Sequence, residues 1–137
     1  MNKPNKTASQ IMIIDNDEYV RESLSTFFEQ SARSLLIFKS AMEGLNSLKY
    51  QDISVVISDY FLPDMNGLLF LEKVKQAHPG IVRILMSTIV TDELRAEVEK
   101  AGINALMEKP VSVASIDNIL NEAVRSCSTN LKPERKK

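Results

Sequence analysis

The sequence predicts a doubly wound α/β fold, with one five-stranded parallel sheet and helices on both faces. Three observations lead there. Short apolar runs alternate with longer stretches of helical periodicity, five times in succession. Three of the runs, ending at Ile14, Ile57 and Met86, are almost continuously apolar rather than alternating, as strands covered on both faces must be. Four of the runs end in an acid, a hydroxyl or a lysine beside turn-forming residues, and that edge of an open α/β sheet is where ligands bind.

The elements follow in order. Gln10–Ile14 is the first strand. The first helix runs from Glu18 to about Gln30, with Val20, Leu24, Phe27 and Phe28 at helical spacing. Leu35–Phe38 is a short second strand followed at once by Lys39, which marks it as an edge. Ser40 opens the second helix with Glu43 three residues on, a pairing that satisfies exposed backbone donors of the first turn. Met42, Leu45 and Leu48 form its apolar face. Ser54–Ser58 is the third strand. The third helix starts near Asn66-Gly67, carries Leu68, Leu71 and Val74, and stops at His78-Pro79-Gly80. Val82–Met86 is the fourth strand. Thr91 caps the fourth helix, Asp92 and Glu93 sit where the helix dipole favours acids, and Gly102 ends it. Asn104–Glu108 is the fifth strand, and the last helix starts after Ser112 with Ile116, Ile119, Leu120, Ala123 and Val124 on one face.

Composition narrows the function classes. A chain of 137 residues is one domain, able to bury roughly 68–70% of its unfolded surface around a single core. A net charge of −1 provides no field to attract nucleic acid or an anionic membrane. Cys127 is the only cysteine, so no intramolecular disulfide forms and a reducing compartment is expected. The lone His78 at a helix end reads as an ordinary loop histidine. Met1–Ser9 is polar and lacks the apolar centre of a signal peptide, and no stretch approaches the roughly 20 apolar residues of a membrane span. The expectation is a cytoplasmic domain over residues 10–127, with a disordered tail at 1–9 and a basic tail or linker stub at 128–137.

The strand ends carry the chemistry. Ile14 is followed by Asp15-Asn16-Asp17, Ser58 by Asp59, Met86 by Ser87-Thr88, and Glu108 by Lys109-Pro110. If the strands are parallel, these groups meet at one sheet edge. Carboxylates that close raise one another's pKa unless a cation intervenes. An all-oxygen site with few protein ligands and room for water suits Mg²⁺. Such a cation, the Lys109 ammonium and the Ser87 hydroxyl match the oxygens of a transferring phosphoryl group, and an ionised aspartate can accept it. Each residue also has a plainer reading. Asp15-Asn16-Asp17 can cap the first helix, Asp59 can form a turn, Ser87 can be a bystander at a strand end, and Lys109 can be a solvated surface residue. Their conjunction at four strand ends carries the functional reading.

At this point the chain resembles the response-regulator receiver domain, the phosphoacceptor module of two-component signalling. The resemblance covers about Ile11 to Val124. It rests on Ile13-Ile14-Asp15-Asn16-Asp17-Glu18, on the ten residues Ser58–Gly67, on Ile84-Leu85-Met86-Ser87-Thr88 and on Glu108-Lys109-Pro110. It implies a flavodoxin-like sheet of order 2-1-3-4-5 and a cis peptide between Lys109 and Pro110, X–Pro bonds being those that tolerate cis. It implies Asp59 as phosphoacceptor, with Lys109 and a hydroxyl at Ser87, or Thr88 as second choice. It implies Mg²⁺ held by Asp15 through water, Asn16, Asp59 and the Phe61 backbone carbonyl. The implied partners are a histidine kinase or phosphotransfer protein and a downstream protein or output domain, with helix 4, strand 5 and helix 5 as the switching face. The domain is then no enzyme in the ordinary sense, although it assists its own phosphorylation and dephosphorylation.

Four residues depart from the family's pattern. Asn16 stands where a second acid is usual, so metal affinity is expected to fall. Leu106 replaces the aromatic switch residue three before the lysine. Thr88 fills a position usually Ala or Gly. Phe61 and Ile89 are apolar beside the expected phosphoryl position. Asn16 and Leu106 keep a second reading open, a pseudo-receiver that binds proteins without phosphate. A third reading is a haloacid-dehalogenase-like phosphatase with Asp15 as nucleophile and Asp17 as general acid. It is weakened by the lack of a late acidic pair, since Asp117 and Glu122 lie on a helix.

Overall fold

The computed structural model describes residues 10–129, with side chains as far as Ala123. The elements are β1 (Gln10–Ile14), α1 (Glu18–Glu29), β2 (Ser34–Phe38), α2 (Ala41–Leu48), β3 (Ile53–Asp59), α3 (Gly67–Ala77), β4 (Val82–Ser87), α4 (Asp92–Lys100), β5 (Ala105–Glu108) and α5 (Val113–Thr129). The five strands form one sheet in the order β2-β1-β3-β4-β5, with every pairing parallel. The tails expected at the two ends lie outside the described residues, except that α5 continues through Ser128 and Thr129, two residues past the boundary expected at 127.

The period of two along a strand sorts side chains between two cores. In β1, Met12 and Ile14 face one way and pack with Val56, Leu85, Phe70 and Leu71 beneath α2, α3 and α4. Ile11 and Ile13 face the other way and pack with Ile57, Ile84, Leu24 and Leu120 beneath α1 and α5. The central strands β1, β3 and β4 are buried almost throughout, while β2 and β5, the sheet edges, are only half-buried. Leu24, Phe70, Leu71 and Leu120 lose all or nearly all solvent contact, each contributing about 1.5–3 kcal/mol of transfer free energy.

Helix starts follow cap chemistry. Ser40, Asn66 and Thr91 accept from the backbone N–H groups of Glu43, Leu69 and Leu94. The return contact of Glu43 goes to the Lys39 N–H, one residue upstream of the expected partner. Gly102 follows α4 with φ of 72°, a left-handed conformation that favours glycine. One buried residue went unforeseen. Arg83 lies in β4 on the α3/α4 side, and its guanidinium donates to the carbonyls of Leu71, Ala101 and Gly102. It caps the carboxyl end of α4 and ties it to α3, which offsets the cost of burying a cation.

Candidate functional site

Winding reverses between β1 and β3, and the carboxyl ends of the strands at such a switch point are where open α/β sheets bind ligands. The Ile14–Ser58 pairing brings the following residues, Asp15 and Asp59, side by side. Both are buried. Asp59 is itself the last residue of β3, one further than the sequence suggests, because Tyr60 N–H still donates to Met86 O at 2.7 Å and prolongs the ladder.

Lys109 joins the two acids. Its Nζ lies 2.8 Å from Asp59 Oδ1 and 3.2 Å from Asp15 Oδ2. It arrives from β5, across the sheet, where its own N–H donates to Ser87 O at 2.8 Å and the Lys109–Pro110 peptide is cis. One ammonium between two carboxylates leaves a buried excess of one negative charge. Burial pushes the Asp59 carboxyl up to about 6; the Lys109 hydrogen bond opposes that and the Asp15 charge reinforces it. Burial would lower Lys109, but the hydrogen bond and charge of Asp59, with Asp15 behind them, outweigh it and hold the ammonium above its ordinary value.

The remaining predicted residues divide. Asn16 donates its N–H to Asp59 Oδ2 at 3.2 Å, and the residue is exposed beside the pair. Phe61 follows in the β3–α3 loop, bridged to Asn66, with its ring half-exposed. Ser87 is buried at the end of β4, its hydroxyl donating to Ile89 O at 2.7 Å and accepting from Ile89 N–H. Thr88 is exposed. Leu106 is half-buried against the α3/α4 core. Asp17 does not join the acidic cluster. Its Oδ1 accepts from Tyr19 N–H at 2.8 Å and Val20 N–H at 3.4 Å, so it caps α1. The plainer reading therefore holds for Asp17, and the phosphatase alternative loses its general acid. Among the described residues no three His, Cys, Asp or Glu side chains cluster, so any cation here relies on two carboxylates and neutral oxygens.

Three residues that position the site were missed. Arg21 Nη1 donates to Asp15 O at 2.9 Å and anchors the β1–α1 turn from one face of α1. Asp64 reaches across to the N–H groups of Ala41 and Met42, tying the β3–α3 loop to the start of α2. Gly67 is buried, and its N–H donates to Tyr60 O at 2.6 Å. Only Gly67 carried a legible signal, as the glycine closing the Pro63–Gly67 turn.

A doubly wound α/β domain with two acids and a lysine at its topological switch point is the class these features define. The chain belongs to the response regulator receiver domain family, whose model matches residues 11–121. It is 28% identical over 120 residues to the sensory/regulatory protein RpfC of Xanthomonas campestris pv. campestris, a match covering 84% of this chain and 16% of that protein. It is 21% identical to the chemotaxis protein CheY of Halobacterium salinarum, over 85% of this chain and 98% of that one. The receiver domain protein of Methanospirillum hungatei superposes with a TM-score of 0.83 at 25% identity, over 89% of this chain and 98% of that one. The chain spans a small part, 16% to 24%, of relatives such as RpfC and the hydrogenase transcriptional regulatory protein HoxA of Cupriavidus necator.

Proposed function

We propose that the domain accepts a phosphoryl group on Asp59 from a phosphohistidine of a histidine kinase or phosphotransfer protein, in the presence of Mg²⁺. The observation that carries this is the buried Asp15–Lys109–Asp59 cluster with its uncompensated negative charge. A divalent cation fits such a donor set: Asp15, Asp59, the Asn16 amide oxygen and the Phe61 carbonyl would hold it, and bound there it supplies Lewis-acid stabilisation to phosphoryl oxygens. Asp59, ionised above about pH 6, supplies the attacking carboxylate oxygen. Its new O–P bond forms as the donor's P–N bond breaks, and the donor imidazole, protonated on its other ring nitrogen, leaves as the neutral base. Lys109, already 2.8 Å from Asp59, remains beside the transferred group's oxygens. Ser87 exchanges its bond to Ile89 for one to the phosphoryl group, which frees the β4–α4 loop. The proposed consequence is a changed α4–β5–α5 face, read by a downstream protein or output domain in the cytoplasm. No described helix is long and apolar enough to cross a membrane.

Incubation with acetyl phosphate and Mg²⁺ should add one phosphoryl mass, and chelation with EDTA should prevent it. Absence of label under conditions where another receiver domain is labelled would instead favour the pseudo-receiver reading, which Asn16 and Leu106 support.

Two further results are expected. Asn16→Asp should tighten Mg²⁺ binding by on the order of 1–2 kcal/mol, because it restores a charge to a partly buried site of effective dielectric near 20. Parallel Mg²⁺ titrations decide this, and equal affinities would show that position 16 contributes no charge-dependent ligand. The phosphorylated form should also be long-lived, since Phe61 and Ile89 offer no polar group to orient an attacking water. Phe61→Asn combined with Ile89→Lys should speed dephosphorylation about tenfold, about 1.4 kcal/mol in barrier. An unchanged rate would mean that these half-exposed side chains shield nothing.

A further inference from the structure

Two adjoining surface clefts, one between α3 and α4 and the other between the β3–α3 loop and the start of α4, share Tyr60 and Glu97 as walls. One, of about 550 Å³, runs between Leu69 and Lys100; the other, of about 230 Å³, opens between Phe61 and Ile89 beside the carboxylate site. Together they form one groove on the side of α4 facing away from β5 and α5. Exposed large apolar residues gather in it. Phe61, Leu69 and Ile89 are 51%, 42% and 58% exposed, and the Tyr60 ring stands edge-on to Phe61 with centroids 5.0 Å apart. A contiguous apolar strip on a domain surface marks a binding site more often than a scatter of single residues does.

The charges around the strip say what would cover it. Glu72 comes from α3, Glu93 and Glu97 from α4, and among the described residues that line the groove Lys100 is the basic one. The buried Arg83 guanidinium lies near Glu72 but is committed to three backbone carbonyls. A second copy of this chain docking through the same face would set one acidic groove against another, with three glutamates and one lysine lining each side. An anionic lipid surface is repelled for the same reason.

We infer that the α3–α4 groove binds an amphipathic segment of a partner protein, with aliphatic side chains on the Tyr60–Leu69–Ile89 strip and flanking Lys or Arg residues against Glu93 and Glu97. This surface is distinct from the α4–β5–α5 face, and its occupancy does not require a phosphoryl group on Asp59. Binding there would hold the Tyr60 ring and the β4–α4 loop next to the carboxylate site, so the partner would read the state of that site directly.

The test uses the full, unphosphorylated chain and two synthetic peptides of equal length and identical leucine spacing, one with lysine and one with glutamate at the polar positions. The lysine peptide should bind at least about tenfold more tightly than the glutamate peptide. Its backbone amide shift changes should centre on Tyr60, Leu69 and Glu97. Glu93→Lys with Glu97→Lys should reverse the preference, and Leu69→Ser should weaken binding of the lysine peptide while leaving the fold intact by circular dichroism. Equal binding of the two peptides, shifts centred on another face, or failure of the double charge reversal to change the preference would overturn the inference. So would a groove already occupied by the chain's own basic residues Lys132, Arg135, Lys136 and Lys137, seen as groove shifts that depend on salt and are lost when those residues are replaced by serine.

Discussion

Asp59→Asn is expected to abolish labelling by acetyl phosphate and, at the same time, to stabilise the protein above about pH 6 in the absence of divalent cations. The loss of label follows because an amide oxygen cannot replace an ionised carboxylate as nucleophile. The gain in stability follows from the buried charge. In the folded chain the Asp59 carboxyl titrates near 6, against an ordinary value of 3.8, first because it is buried and then because Asp15 is beside it. Below pH 3.8 the group is protonated folded or unfolded and has no effect on the difference. Between 3.8 and 6 the unfolded chain has released the proton and the folded chain still holds it, so stability falls as pH rises. Above 6 the full cost persists. The shift would correspond to somewhat more, but with solvent screening at the mouth of the site the expected gain from Asp59→Asn is about 1–2 kcal/mol at pH 7.5 and close to nothing at pH 3.5. Urea unfolding of both proteins at the two pH values measures it. A variant equally or less stable at pH 7.5 would mean that Lys109 already neutralises the pair, and the case for an additional cation would weaken with it.

Gly67→Ala is expected to cost about 3 kcal/mol of stability or more and to depress labelling in whatever fraction remains folded. The reason is steric and local. A Cβ at position 67 would stand 1.9 Å from the Asp59 carbonyl oxygen and 2.8 Å from its carbonyl carbon, with Leu85 Cδ1 at 3.0 Å. Backbone on one side and core on the other leave no flexible neighbour to give way. The β3–α3 loop would have to move outward, breaking the Gly67 N–H to Tyr60 O bond and the close approach of α3 to β3. Gly80→Ala is the control, because nothing lies within 4 Å of a Cβ built there. Equal urea midpoints for the two variants would show that the loop relaxes at little cost.

Much of the architecture was legible because it is written in local patterns. Continuous apolar runs in β1, β3 and β4 required two covered faces, and the caps at Ser40, Thr91 and Gly102 marked helix ends through chemistry confined to one turn. The order 2-1-3-4-5 was not legible in periodicity; it came from the resemblance, and the parallel pairings bear it out. Asp59, which ends β3, and Lys109, which follows β5, could be singled out in advance because each sits at a strand end within a distinctive short run.

Asp17 shows where the sequence stopped. Asp15 and Asp17 are both acids in one turn, and nothing in Asp15-Asn16-Asp17 distinguishes a cap from a ligand. Only the folded turn directs Asp15 toward Lys109 and Asp17 toward the N–H groups of Tyr19 and Val20. Arg83 and Asp64 were silent for a related reason. Their partners are backbone groups on other elements, at Leu71, Ala101 and Gly102 for Arg83 and at Ala41 and Met42 for Asp64, and every residue type carries those groups. By itself, then, the sequence determined the elements, the two buried faces and the strand-end residues, all consequences of side-chain type and spacing. The tertiary structure alone decided which acid meets the lysine, which loop is tied to which helix and where apolar surface stays uncovered, because those depend on distances between segments remote along the chain.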